Sequence, residues 1–265
     1  MSVADLEVEA ARFARILSDV LNGSVCRDVE LETVIIAPDR SRDRDRIAVG
    51  HRLSQQATPS PIPLSIAEAA AEREGAPTWL TLDYKLMLDE HRHHLSVHSS
   101  SVGLCIWPQT GRTVIRSEFD RDKNRYPAAH THVAGTSLEL GYAWGALGQR
   151  PPRGLEDLHF PVGGLRFRSS LEDFIEFLIR EGLVAALHPG WQEHLDASRS
   201  AYERIQLQAA VRHDPVAAYE TLRQIGHLPE TKGDGMTRVV DAEAPRQGAA
   251  AKHASFGATR LVHIC

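Results

Sequence analysis

Apolar side chains recur every three or four residues at the start of the chain and at every second residue in its middle, so a helical opening gives way to a sheet. Leu6, Ala10, Phe13, Ile16, Leu17 and Val20 predict one apolar helix face over about residues 4–21, with Asn22-Gly23 as its stop. Val29, Leu31 and Val34-Ile35-Ile36 alternate with acidic residues and predict a short strand, and Ile47 to Leu53 predict a second. Between them the run Asp39-Arg40-Ser41-Arg42-Asp43-Arg44-Asp45-Arg46 interleaves charges that cancel, which predicts a solvated loop rather than an RNA or phosphate contact. Thr58-Pro59-Ser60-Pro61-Ile62-Pro63 is a stiff connector, since each proline fixes its own φ and biases the residue before it to an extended form. Ser65 and Glu68 have the spacing of a capping box that opens a short helix ending at Gly75.

From Thr78 the alternation is strict. Leu80, Leu82, Tyr84, Leu86 and Leu88 predict one face of a strand, Asp89 to Arg92 a turn, and Leu95, Val97, Leu104 and Ile106 the return strand, with an irregularity at Ser99-Ser100-Ser101 or Gly103. Trp107 to Gly111 predict a further turn, Thr113 to Asp120 a strand, and His130 and His132 another. Links this short leave no room for helical crossovers, so the strands form an antiparallel meander. Leu138 to Gly145 read as a short helix or a loop, and Gln149 to Gly154 as a proline-rich connection. The strongest helix runs from Ser169 to Gly182: Ser169 and Glu172 have capping-box spacing, and Leu171, Phe174, Ile175 and Leu178 share a face that should cover the sheet. Helices beginning near Trp191, through Leu195, Tyr202 and Ile205, and from Pro215 to Ile225 follow. The expected class is α+β, an antiparallel meander covered by helices. The expected organisation is a single domain over residues 1–228, with its sheet at about 78–165 and its closing helices at about 169–226, then a flexible tail over 229–265.

The 265 residues, 42% hydrophobic and 25% charged, suffice for one sizeable core. A formal charge of −5 gives no overall basic field to steer the chain onto nucleic acid, so such a role would need a local patch. Cys26, Cys105 and Cys265 have no Cys-x-x-Cys spacing, which argues against a thiolate zinc site and a disulfide framework and fits a reducing compartment. The first residues show no basic segment followed by an apolar run, and no stretch approaches the ~20 apolar residues of a membrane span. The expected location is the cytoplasm, with no membrane partner.

Potential chemistry concentrates between Arg112 and Arg168. Alternate strand residues share a face, so His130 and His132 project together, about 7 Å apart at the backbone. Glu118 and Asp120 share a face on what should be a neighbouring strand. Two imidazoles and a carboxylate, with His159 as an additional ligand, are the set that holds zinc, manganese or ferrous iron with open positions for water. The metal ligands so expected are His130, His132, Asp120 and His159. Without a metal the same strand offers phosphodiester chemistry: Arg116 with Arg121 as an anion clamp, Glu118 or Asp120 as base, and His130 or His132 as acid or base. Each pattern also has a plain reading, since strand histidines often only hydrogen-bond neighbouring carboxylates and alternating Arg and Glu often form cross-strand ion pairs.

Other candidates carry less. His91-Arg92-His93-His94 falls in a predicted turn and reads as solvated; His98 falls in a strand and would reach the main site if the register allowed. Gly163-Gly164 could hold an anion together with Arg166 and Arg168, or merely reverse the chain into the helix. There is no Gly-x-Ser-x-Gly elbow beside Ser99 to Ser101, and Cys105 between Leu104 and Ile106 reads as a structural thiol.

The order of initial helix, antiparallel meander, Tyr126-Pro127 before a histidine-containing strand and closing helices resembles ubiquitin-conjugating-like folds over the middle half of the chain. The catalytic cysteine that such a resemblance implies has no counterpart, because no cysteine lies between Cys105 and Cys265, so conjugating activity is not implied. Two expectations therefore stand. One is a cytoplasmic hydrolase acting on a phosphodiester or nucleotide through His130, His132, Glu118 and Arg116, with an anionic small molecule or nucleic acid as substrate. The other is a non-catalytic regulatory or interaction module that binds a protein partner.

Overall fold

The structure, a computed structural model, describes residues 3–36, 45–64, 78–89, 94–106, 112–123, 125–136, 154–162 and 168–227. Most of the mixed-charge run, the capping box at Ser65, the turns at His91 and Trp107, the segment 137–153, the Gly163-Gly164 loop with Arg166, and residues 228–265 lie outside the described residues. The fold is α+β, with an eight-stranded antiparallel sheet and, among the described residues, four α-helices.

Helix α1 (Val3–Asn22) buries Leu6, Ala10, Ala14, Leu17, Val20 and Leu21. Ile16 is 43% exposed rather than on the buried face, because the stripe drifts round the helix toward Leu21 and leaves Ile16 at its margin. Asn22 ends the helix and clamps the backbone of Val29, donating from Nδ2 to its carbonyl at 2.8 Å and accepting its N–H at Oδ1 at 2.9 Å. The Ser18 hydroxyl bonds back to the Ala14 carbonyl and accepts the Leu31 N–H at 3.0 Å, which ties the start of the sheet to α1.

Strands β1 (Leu31–Ile36), β2 (Arg46–His51), β3 (Ile62–Pro63), β4 (Thr78–Leu88), β5 (Leu95–Ile106), β6 (Arg112–Asp120), β7 (Ala129–Val133) and β8 (Phe160–Pro161) follow. Their order in the sheet is β1-β2-β4-β5-β6-β7-β8, with β3 paired to β4. The expected face of β4 is observed: Leu80, Leu82, Tyr84, Leu86 and Leu88 are all buried. Phe13 of α1 meets Tyr84 edge-on at 5.3 Å, so this is the helix-covered, inner face. The proline connector folds over the other face at β2, where a side chain on Gly50 would strike Pro59 and Leu53 at 2.8 and 2.9 Å.

The irregularity in β5 lies at His98 rather than at the serines or Gly103. Lys85 pairs with Ser99 and Leu86 with Val97, so His98 is the extra residue of a bulge. A second shift falls on the other side of β5, where Leu104 pairs with Ile115 and Cys105 with Thr113. Serine runs tolerate regular pairing, and it is the change of core-facing parity between Val97 and Val102 that demands the extra residue.

Helix α2 (Leu171–Arg180) buries Leu171, Phe174, Ile175 and Leu178 in the same cluster as the inner face of the sheet. Its capping box is Ser170 with Asp173, one residue later than the expected Ser169 with Glu172. Glu172 is turned inward instead, 4% exposed, and accepts the Ser198 hydroxyl. Gly182 at φ +69° allows the Schellman closure, with Leu183 N–H on the Leu178 carbonyl and Gly182 N–H on that of Ile179. Helix α3 (Trp191–His213) and helix α4 (Pro215–Gln224, capped by Asp214) complete the described chain. The described residues divide into two compact units, one up to Arg204 and one from Ile205. No described helix is long and apolar enough to cross a membrane.

Candidate metal centre

Register places the site. Tyr84 pairs with Ser100, Ser100 with Phe119 and Phe119 with Ala129, which continues the inner face across four strands. Asp83, Ser101, Glu118 and His130 form the adjacent row, on the outer face. Arg116 pairs with His132 in the next row. Phe119, Ala128 and Ala129 make a small buried cluster against Val97 and Val162, which seats the base of β7. A strap along residues 154–162 then reaches β7: Leu155 N–H bonds the Gly135 carbonyl at 2.8 Å, and Val162 N–H that of Ala129 at 3.1 Å. His159 rides on this strap.

The three imidazoles of His130, His132 and His159 converge, with one ligand nitrogen from each lying within 4.8 Å of the others. Their ring centroids are 4.9, 4.8 and 4.7 Å apart. A tetrahedral ion bound at 2.0–2.1 Å needs nitrogens about 3.3 Å apart, so binding would draw the three together. Glu118 joins them: Oε2 lies 3.2 Å from His130 Nε2 and 3.3 Å from His132 Nε2, while Oε1 lies 2.8 Å from Arg116 Nε.

The His130 ring has its tautomer set by its surroundings. Nδ1 lies 2.9 Å from the Pro127 carbonyl oxygen, which can only accept, so Nδ1 carries the hydrogen and donates it. In the neutral ring Nε2 then presents a lone pair, and it faces the Glu118 carboxylate at 3.2 Å. A proton on either group, or a metal ion beside them, would relieve the approach of these two acceptors. Burial opposes the proton: His130, 1% exposed, is held below the ordinary imidazole range by desolvation, and His132 pushes it further down while the Pro127 bond and Glu118 pull the other way. His159 is lowered as well, first by desolvation and then by the neighbouring His130 and His132. An imidazole that donates one N–H to a backbone carbonyl and offers the other nitrogen is the usual metal-ligand arrangement.

Asp120 is not among the three converging ligands. It sits two residues beyond Glu118 at the end of β6, where Oδ1 accepts the Asp122 N–H at 3.1 Å and Oδ2 lies 3.7 Å from Lys123 Nζ. His98 is taken up by the bulge, buried, with Nε2 3.7 Å from Asp122. Arg121 donates to Ser96 Oγ at 3.0 Å, away from any clamp with Arg116. Arg168 lies on the inner side, bonded to the Tyr202 hydroxyl and 5.5 Å from the Phe119 ring. Cys105 is a buried thiol raised above its ordinary range by desolvation. Two further contributors, Tyr126 and Pro127, belong to no site pattern in the sequence; their only signal is an aromatic-proline pair directly before the histidine strand. A shallow groove of about 400 Å³ between α1 and β1 lies at the opposite edge of the sheet and has no imidazole in its lining.

The chain matches no protein-family model, no curated protein and no solved structure. The ubiquitin-conjugating-like resemblance therefore has no support from relatives.

Proposed function

We propose that the protein is a metal-dependent hydrolase of an anionic substrate, a phosphodiester or nucleotide, with a divalent ion of the zinc, manganese or iron(II) type held by His130, His132 and His159. The observation that carries this reading is the convergence of three imidazoles beside the Glu118 carboxylate, with His130 Nδ1 held at the Pro127 carbonyl. His130, His132 and His159 would hold the ion, which would supply a water acidified enough to act as a nucleophile near neutral pH. Glu118, beside His130 and His132, would serve as the base toward such a water and as the acid toward the leaving oxygen. Arg116, on the same strand face and 2.8 Å from Glu118, would turn its charge to an anionic substrate by exchanging that carboxylate for it. The row from His130 through Glu118 and Ser101 to Asp83 extends this polar face across the sheet.

Elemental analysis of purified protein tests the reading: about one transition-metal ion per chain is expected, lost in His130→Ala and His132→Ala with the circular dichroism spectrum intact. Metal-loaded protein should cleave an activated phosphodiester such as bis(p-nitrophenyl) phosphate, and Glu118→Gln should lose that activity while keeping the metal. Wild-type protein that carries no metal, and gains no thermal stability from zinc, manganese or iron(II), would overturn it. A second reading, an interaction module, is favoured by the exposed apolar side chains Leu207, Val211, Val216, Leu222 and Ile225 of the unit from Ile205. It expects self-association or partner capture that alanine substitutions there abolish, with no hydrolysis by the metal-loaded protein.

A further inference from the structure

The three ligands are not equally anchored. His130 and His132 lie within β7, which pairs with β6 on one side and β8 on the other. His159 instead lies between a single 3-10 turn at Leu155–Asp157 and the two-residue β8. What its ring does have is Tyr126, stacked on it with centroids 3.9 Å apart and planes 26° from parallel. The same tyrosine ring meets His130 edge-on at 4.8 Å and 73°.

An imidazole lone pair lies in the plane of its ring, so a ligand that turns about its Cβ–Cγ bond swings the lone pair off the metal. A ring stacked flat on the imidazole restricts that rotation. We propose that Tyr126 is a positioning residue of the metal centre, fixing the plane of His159 so that its nitrogen joins those of His130 and His132. With the adjacent Pro127 carbonyl setting the His130 tautomer, two consecutive residues of the β6–β7 loop organise two of the three ligands. Stacking needs the aromatic face and not the hydroxyl, which gives the proposal its discriminating variants.

The inference rests on the metal-centre reading above. The test is zinc affinity by chelator competition, with cobalt(II) visible absorption as the report on coordination, in full-length wild type, Tyr126→Phe, Tyr126→Ala, Tyr126→Leu and His159→Ala. Tyr126→Phe should bind zinc as the wild type does. Tyr126→Ala should bind it roughly 10- to 100-fold more weakly, with the cobalt spectrum moving toward that of His159→Ala. Tyr126→Leu keeps bulk without an aromatic face; it should weaken binding similarly and takes the place of the alanine variant if that chain fails to fold. Wild-type affinity in the leucine variant, or equal loss in the phenylalanine variant, overturns the proposal, the latter by assigning the effect to the hydroxyl. A lowered metal-free melting temperature with unchanged zinc affinity would mark a merely structural role and also overturn it. Wild-type protein that binds no metal takes down the metal-centre reading and this inference together, whereas wild-type binding with unchanged variants takes down this inference alone.

Discussion

Phe174 and Phe177 test the packing of α2 on the sheet, because they are three residues apart on one helix, with ring centroids 6.3 Å apart, yet stand on different sides of the core boundary. Phe174 is 5% exposed within the cluster that includes the inner sheet face, and Phe177 is 37% exposed. A buried aromatic side chain removes about 150–250 Å² from water, worth roughly 4–6 kcal/mol at about 25 cal/mol per Å². Alanine keeps its methyl group, which returns part of this, while the unfilled cavity adds a cost; the expected loss for Phe174→Ala is about 3–5 kcal/mol. Phe177→Ala should cost less, about 1–2 kcal/mol, since more than a third of that side chain is already in water. Urea denaturation followed by tryptophan fluorescence and far-ultraviolet circular dichroism measures both. For a chain of this size the Phe174 variant should also melt roughly 6–20 °C lower. A cost below about 1 kcal/mol at Phe174, or equal costs at the two positions, would refute the assignment of α2 to the inner face.

Acid should destabilise the metal-free protein earlier than carboxylate titration alone explains. His130 and His159 have folded pKa values below the unfolded value of about 6.5, so the unfolded chain binds more protons there and stability is lost as pH falls through and below that value. Urea midpoints in the presence of a chelator should fall between pH 7.5 and 5.5, less steeply in His159→Asn; a midpoint that rises on acidification contradicts the electrostatics described. Cys26 and Cys105 should resist thiol reagents in the native state, since both are buried and desolvation pushes Cys26 up to about 12 and raises Cys105. Peptide mapping that found Cys26 rapidly labelled at pH 8 before unfolding would show that its neighbourhood opens.

Period two made β4 and the shared face of His130 and His132 legible, because one buried side imposes strict alternation and any slip of one residue would bury the wrong set. The pairing of Glu118 with His130 was not legible to the residue. It depends on how the Arg121–Ala128 loop closes, with Asp120 N–H on the Ala128 carbonyl, and a loop shifted by two residues would have offered Asp120 in place of Glu118. The capping box failed for a similar reason. Ser169 with Glu172 and Ser170 with Asp173 satisfy the same local rule, and the choice is made by Ser198 on α3, which gives the buried Glu172 a partner. His159 was recognisable as a ligand type, but its approach depends on the β7–β8 pairing and on the Tyr126 stack, neither of which has a periodic signature.

The bulge at His98 shows how a feature hidden from the sequence still shapes the candidate site. Leu95 and Val97 occupy odd positions of β5, and Val102 and Leu104 even ones, yet all four face the helices. Without the extra residue, regular alternation from Ser99 would turn Val97 and Leu95 onto the outer face. That is the face that carries Glu118 and His130, and its neighbours on β5 are Ser99, Ser101 and Gly103. A single inserted residue therefore sorts Leu95, Val97, Val102 and Leu104 to the inner side and leaves Ser99, Ser101 and Gly103 on the outer side beside the histidines. The cost of the bulge is lost ladder pairing at one position, and the Arg121 N–H on the His98 carbonyl at 3.0 Å offsets part of it. The core pattern and the candidate site are thus two consequences of one register choice, which explains why the aliphatic parity of β5 changes immediately before the strand reaches the serines.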